Sequence, residues 1–154
     1  MAKPIKEWTT GRYLKQLDTA LPGAHVRLLY DTLTREEAQT LAQLRTGHSK
    51  LRAFLVRIGA DGGDQCECGQ GKEDTRHFLF QCRRYVHLRE DMIREAGDRY
   101  GDISYMLGGR SPHTNPDGSS PDGPINQWKP NLDVVHATIK FARRTGRLNT
   151  SSDL

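Results

Sequence analysis

The sequence predicts a mainly α fold: a small bundle of five or six short helices, stapled at its middle by a metal turn, with one long flexible loop. Three observations predict it. Apolar residues recur at helical spacing in short runs, and glycine or proline ends most of them. All three cysteines fall within seventeen residues, with a histidine among them. Residues 108–131 are rich in Gly, Pro, Ser, Asn and Asp and almost free of apolar side chains. At 154 residues, 35 % hydrophobic and 27 % charged, the chain suits one small domain with a modest core, mostly aliphatic because aromatics are 7 %.

Residues 1–12, with Pro4 and Gly11, read as a linker or fragment edge, and residues 13–107 as the helical, metal-stapled domain. Leu14 and Leu17 begin a short helix that Pro22-Gly23 ends. Val26, Leu29, Tyr30 and Leu33 share one face of a helix over about 25–33. Thr34-Arg-Glu-Glu37 is a capping box that opens a helix through about Arg45, with Ala38, Leu41, Ala42 and Leu44 inward. Ser49 caps the next helix. Its Leu51, Phe54, Leu55 and Ile58, at i, i+3, i+4 and i+7, form the cleanest helical stripe in the chain.

Asp61-Gly-Gly-Asp64 turns into the cysteine pair. Asp74 or Thr75 then caps a helix carrying His77, Phe78, Leu79 and Cys82, and its stripe runs on through Tyr85, Leu88, Met92 and Ile93 to about Ala96. Asp102 caps one more turn with Ile103, Met106 and Leu107. After the flexible loop, Asn131 caps a last helix over 132–148, striped by Leu132, Val135, Ile139 and Ala142, and residues 149–154 are a tail.

The metal turn reads Cys66-Glu-Cys68-Gly-Gln-Gly-Lys-Glu-Asp-Thr-Arg-His77-Phe-Leu-Phe-Gln-Cys82, or C-x-C-x8-H-x4-C. Three thiolates and an imidazole are the donors of a closed tetrahedral zinc site, with no corner left for a reacting water. One structural zinc on Cys66, Cys68, His77 and Cys82 is the expectation, with a small β-hairpin at the turn. Gly69 and Gly71 let the backbone turn tightly beside the sulfurs. On an ideal α-helix, His77 and Cys82 point about 140° apart, so both reach one ion only if the helix is distorted or ends near Cys82. The competing reading is three plain thiols and a surface histidine, and the C-x-C pair in place of C-x-x-C keeps it open. An odd cysteine count at this spacing argues against a disulfide framework and for a reducing, intracellular setting, nucleus or cytoplasm. His25, His48, His87, His113 and His136 have no cysteine partner and read as surface or core-edge residues.

The net charge is +4 and is uneven. Residues 1–57 hold ten Lys and Arg against five Asp and Glu, while 58–154 hold thirteen against fourteen. The basic front is mild support for a polyanionic partner, RNA or DNA, and equally fits a solvated helical surface. Candidate phosphate contacts are Arg45, His48, Lys50, Arg52 and Arg57 around the helix before the metal turn, and Arg76, Arg83 and Arg84 beside the ligands. Lys140, Arg143, Arg144 and Arg147 form a second basic patch at a helix C-terminus, where cations are favoured in any case. Asp61, Asp64, Glu73 and Asp74 cluster in sequence but read as loop solvation or capping rather than as a two-metal catalytic set. No apolar run approaches a membrane span, and the N-terminus lacks a signal-peptide pattern.

Several segments together resemble a known family. They are Leu44-Arg-Thr-Gly-His48, Leu51, Leu55-Val-Arg-Ile58, Cys66-Glu-Cys68-Gly, His77-Phe-Leu79 and Cys82, then Asp102-Ile-Ser-Tyr-Met-Leu-Gly-Gly109 and Trp128-Lys-Pro-Asn131. They resemble the C-terminal region, downstream of the RNase H domain, of reverse-transcriptase polyproteins from fungal non-LTR retrotransposons. The resemblance covers about residues 8–148. It implies a zinc-knuckle-like element that engages nucleic acid during target-primed reverse transcription, with Cys66, Cys68, His77 and Cys82 as ligands. It also implies neighbouring reverse-transcriptase and RNase H domains as partners. No Tyr-x-Asp-Asp motif occurs, and no endonuclease or RNase H carboxylate set can be placed. The expectation is a detached, non-catalytic fragment that starts after the domains that do chemistry. The alternative is a structural domain that packs on those neighbours without touching nucleic acid.

Overall fold

The computed structural model describes residues 13–149, so the linker and most of the tail lie outside the described residues. Among the described residues the chain is mainly helical. The order is α1 (residues 13–17), α2 (His25–Tyr30), α3 (Arg35–Thr46), α4 (Arg52–Arg57), the metal turn, α5 (Glu90–Ala96), α6 (Ile103–Met106) and α7 (Leu132–Thr145). No helix among them is long and apolar enough to cross a membrane. The expected hairpin at the metal turn reduces to one antiparallel bridge, Gln65 to Lys72.

The caps read from sequence at Thr34, Asp102 and Asn131 act as caps, whereas Ser49 bonds the Leu51 amide one step too early and α4 has Leu51 at its N-cap without a side-chain bond. The Thr34 hydroxyl accepts from the Glu37 amide at 3.2 Å, and the Glu37 carboxylate accepts from the Thr34 amide at 2.9 Å. Two of the orphan donors at the start of α3 are thereby satisfied. Thr34→Ala is expected to cost about 1 kcal/mol, read as a lower denaturant midpoint at unchanged slope. Asp102 and Asn131 likewise accept from the amides of Tyr105 and Val134.

α7 is the centre of the core. Val134, Val135, Ala137, Thr138, Ile139, Phe141 and Ala142 are all buried, a face broader than the expected four-residue stripe. α3, α5 and α6 pack on it, bringing Leu41, Leu44, Met92 and Met106 inward. Each such side chain contributes about 1.5–3 kcal/mol by leaving water. Phe78 and Tyr85, which flank Cys82, meet the Phe141 ring at 5.5 and 6.3 Å between centroids. The metal turn is thus fastened directly to the central helix.

Two expected elements differ. The stripe on α4 is only partly taken into the core: Leu51 is buried, Phe54 and Leu55 are partly covered, and Ile58 is 64 % exposed. Helical periodicity reports a common face, not what covers it, and this six-residue helix sits at the edge of the bundle. The expected continuous helix from Asp74 to Ala96 is broken into a π-helical turn (His77–Gln81), a 3-10 turn (Arg83–Leu88) and α5. The break is at Cys82, whose backbone is extended, with φ −65° and ψ 120°. Buried Arg89 donates to the carbonyls of Leu79 (2.7 Å) and Phe78 (3.0 Å), groups that a regular helix would have paired with its own amides.

The long loop over 108–131 has no regular structure, and named contacts give it a defined path. Asp18 accepts from the Arg110 amide at 3.0 Å, and Asp122 accepts from the Ser111 amide at 2.7 Å and from Arg99 at 2.9 Å. Gly108 begins the loop at φ +79°, packed so closely on Leu29 that any Cβ would collide with it.

Candidate metal centre

Local chain geometry gathers four donors. The Cys66 amide donates to the Gly71 carbonyl at 2.8 Å and the Gly69 amide to the Cys66 carbonyl at 3.0 Å, which folds the C-x-C pair into a tight turn. The Gln70 amide points at the Cys68 sulfur, 3.4 Å away. On the other side, Asp74 accepts from the His77 amide at 2.8 Å and starts the helical turn. The Cys82 amide then donates to the His77 carbonyl at 2.8 Å, an i to i+5 bond. That widened turn supplies the distortion the sequence requires, because a regular α-turn points residues 77 and 82 apart.

The result is a buried cluster of Cys66, Cys68, His77 and Cys82 with donor atoms all within 4.8 Å of one another. None of the four is more than 4 % exposed. The Cys66 and Cys82 sulfurs are 3.7 Å apart, and the Cys68 sulfur is 3.3 Å from His77 Nε2. Two sulfurs at the Zn–S distance of a tetrahedral ion stand about 3.8 Å apart, and a sulfur and an imidazole nitrogen about 3.5 Å. The spacing is far too long for a disulfide, and all three cysteines are free. Soft thiolates with one imidazole in a tetrahedron are donors suited to zinc rather than to magnesium or calcium. All four corners are protein side chains, so an ion held there would have no position left for substrate.

The thiols sit in unequal fields. Burial pushes the Cys66 thiol up to about 11. Burial acts the same way on Cys82, but the Arg84 guanidinium overrides it and brings this thiol down to about 6. Arg84 Nε donates to the Cys82 sulfur and one Nη to the Cys66 sulfur, each at 3.2 Å. The same Nη lies 2.9 Å from Glu73 Oε2. Glu73, read from sequence as loop solvation or capping, is in fact 2 % exposed. It also accepts from Arg147 twice, at 2.6 and 3.0 Å, and from the Arg52 amide at 2.8 Å. Burial raises the Glu73 carboxyl, and Arg147 and the Arg52 amide outweigh it, so the group lies below the usual carboxylate range. Sequence reasoning missed this network, since no local spacing ties residues 73, 84 and 147 together.

The candidate phosphate contacts scatter. Arg45 is buried, donating to Asp18 at 2.8 Å and to the Leu107 carbonyl at 2.7 Å. Arg83 donates to the Cys68 carbonyl at 2.7 Å, and Arg84 serves the sulfurs. Arg52 closes the Asp61–Gly63 turn by donating to both carbonyls, and Lys50 donates to the Asn149 carbonyl. The His48 ring stacks on Phe54 at 4.7 Å. Arg57 and Arg76 remain exposed, and both line a groove of about 620 Å³ between α1, α4 and the metal turn, with Lys72, Tyr13 and Phe54.

Fold and cluster together define a class: a small helical domain built round a buried Cys3His centre. Part of this chain is similar to retrotransposon polyproteins. The retrovirus-related Pol polyprotein from type-1 retrotransposable element R1 of Bradysia coprophila is 36 % identical over 50 residues, 32 % of this chain and 5 % of that protein. The corresponding polyprotein from element R1 2 of Nasonia vitripennis is 35 % identical over 54 residues, 35 % of this chain and 13 % of that protein. The similarity thus spans a small part of either relative, and it supports a retrotransposon polyprotein region. The assignment to fungal elements rests on the residue resemblance alone. No protein-family model matches the chain, and no solved structure does.

Proposed function

We propose that this chain is a zinc-binding, nucleic-acid-binding segment of a retrotransposon polyprotein, non-catalytic by itself and working inside the cell, in nucleus or cytoplasm, beside reverse-transcriptase and RNase H domains. The observation that carries it is the buried Cys3His cluster, with exposed Arg57, Lys72 and Arg76 from nearby segments on a groove that Asp64 and Asp74 also line. When bound, zinc supplies a rigid tetrahedral crosslink and no chemistry on substrate. Cations on a groove of this kind engage phosphates and read little sequence.

The test is fluorescence anisotropy with labelled single- and double-stranded RNA and DNA over a salt series. The expected result is salt-dependent binding, with Arg57→Ala and Arg76→Ala each lowering affinity and reducing the salt slope by about one. No binding of any of the four probes at low salt would overturn the nucleic-acid reading.

A second reading has its own observation. Val86 and Ile93 are 61 % and 48 % exposed and lie together with His87, Glu90 and Arg94 on one small face. Apolar surface of this kind favours a domain that packs on its polyprotein neighbours. Absence of nucleic-acid binding, together with association of the purified neighbouring domains, would select it.

A further inference from the structure

We infer that Arg84 positions the metal-binding sulfurs and, through Glu73, makes the start of α4 and the chain after α7 depend on the metal centre. The inference rests on the zinc reading. Its first support is geometry. One guanidinium touches two ligand sulfurs at 3.2 Å and a buried carboxylate at 2.9 Å, so it is held on two sides. The planar fork of arginine permits this, and a lysine ammonium, being a point donor, does not.

The second support is charge. Three thiolates, a neutral imidazole and a divalent zinc carry one net negative charge. Glu73 adds another, and the cluster then meets Arg84 and Arg147. Two negative and two positive charges close to neutrality in a site where Glu73 is 2 % exposed. Glu67, which also pairs with Arg84 at 3.4 Å, is exposed to solvent, so the buried Glu73 and the metal-bound sulfurs are what the two arginines chiefly offset.

The third support is what Glu73 holds. The N-cap position of α4 is Leu51, whose side chain offers no cap. Glu73 accepts the Arg52 amide in its place, and Arg147, which follows α7, donates to the Lys50 carbonyl at 2.9 Å. Arg84 is therefore the link between the sulfurs and both the α4 wall of the groove and the end of the chain.

The experiment uses the full chain and three variants, Arg84→Ala, Arg84→Lys and Glu73→Gln. Zinc affinity is measured by competition with a chromogenic chelator. Cobalt-loaded protein gives the thiolate-to-metal charge-transfer band, and hydrogen exchange at saturating zinc reports residues 51–58 and 146–149. Arg84→Ala is expected to bind zinc about 10–100-fold more weakly, the usual cost of losing a group that orients metal ligands. Its cobalt band should shift, which a purely structural role would not cause. At saturating zinc, exchange should rise in 51–58 and 146–149 and stay slow in α3 and α5. Arg84→Lys should recover affinity only in part, and Glu73→Gln should raise the same exchange with a smaller loss of affinity. If Arg84→Ala does not fold, the other two variants carry the same readings. Wild-type affinity, an unshifted band and unchanged exchange would overturn the inference while leaving the zinc reading intact. A wild-type chain that takes up no zinc would overturn both.

Discussion

Cys82→Ser, or chelation of the metal, is expected to abolish most of the helical signal rather than trim it. The sulfur of Cys82 is fully buried and lies at the break between the π-helical turn and the 3-10 turn. His77 is followed by Phe78 and Leu79, both buried against the core that α7 organises. Without an ion, only the Arg84 guanidinium, the Gln70 amide and the Cys68–His77 contact hold these three sulfurs and the imidazole in one small volume. Structural zinc binds with about 10–16 kcal/mol of apparent free energy in zinc-finger peptides. Whole domains are stable by only about 5–15 kcal/mol. Loss of the metal term is therefore comparable to the entire margin. Far-UV circular dichroism before and after chelation, and again on re-adding zinc, checks this. Helical signal that survives chelation unchanged would show that the packing of α3, α5 and α7 is sufficient alone.

Asp18→Ala is expected to cost about 3–5 kcal/mol, because it strands a buried guanidinium. Asp18 is fully buried and Arg45 is 3 % exposed, and they meet at 2.8 Å. The same carboxylate takes His25 at 2.6 Å and the amides of Ala20 and Arg110 at 3.0 Å. One residue thus ties α1, α2, α3 and the long loop together. Burial raises its carboxyl, but the bonds from Arg45 and His25 prevail and hold it below the ordinary carboxylate value. A depressed folded value contributes stability that is full above the unfolded value of about 3.9 and is lost as pH falls through the folded one. The difference in denaturant midpoint between wild type and Asp18→Ala should therefore stay constant from about pH 7 down to about pH 4. A difference that already changes between about pH 7 and pH 5 would contradict this assignment to the Asp18 carboxylate.

The gathering of Cys66, Cys68, His77 and Cys82 was legible in sequence because donor type and spacing are local properties. Even the break in the helix was foreshadowed, since a regular α-turn sets His77 and Cys82 apart. The capping box at Thr34 and the closing helix were legible for the same reason. What was not legible depends on distant partners. Arg45 reads as one more surface cation until Asp18, twenty-seven residues earlier, is placed beside it. Glu73 reads as loop solvation until Arg84 and Arg147 converge on it. The α4 stripe was legible as periodic, but periodicity does not say how much of it the rest of the chain covers: Leu51 is buried and Ile58 is exposed. In each case the deciding fact is tertiary: a buried charge is tolerated only where its counter-charge arrives from elsewhere in the chain.

Native mass spectrometry of the purified full chain, compared with the same sample denatured, tests the central claim most directly. The account predicts one zinc per folded chain, released on denaturation and absent from Cys82→Ser. A folded chain whose native mass equals its denatured mass would contradict it, leaving a helical domain with three buried thiols.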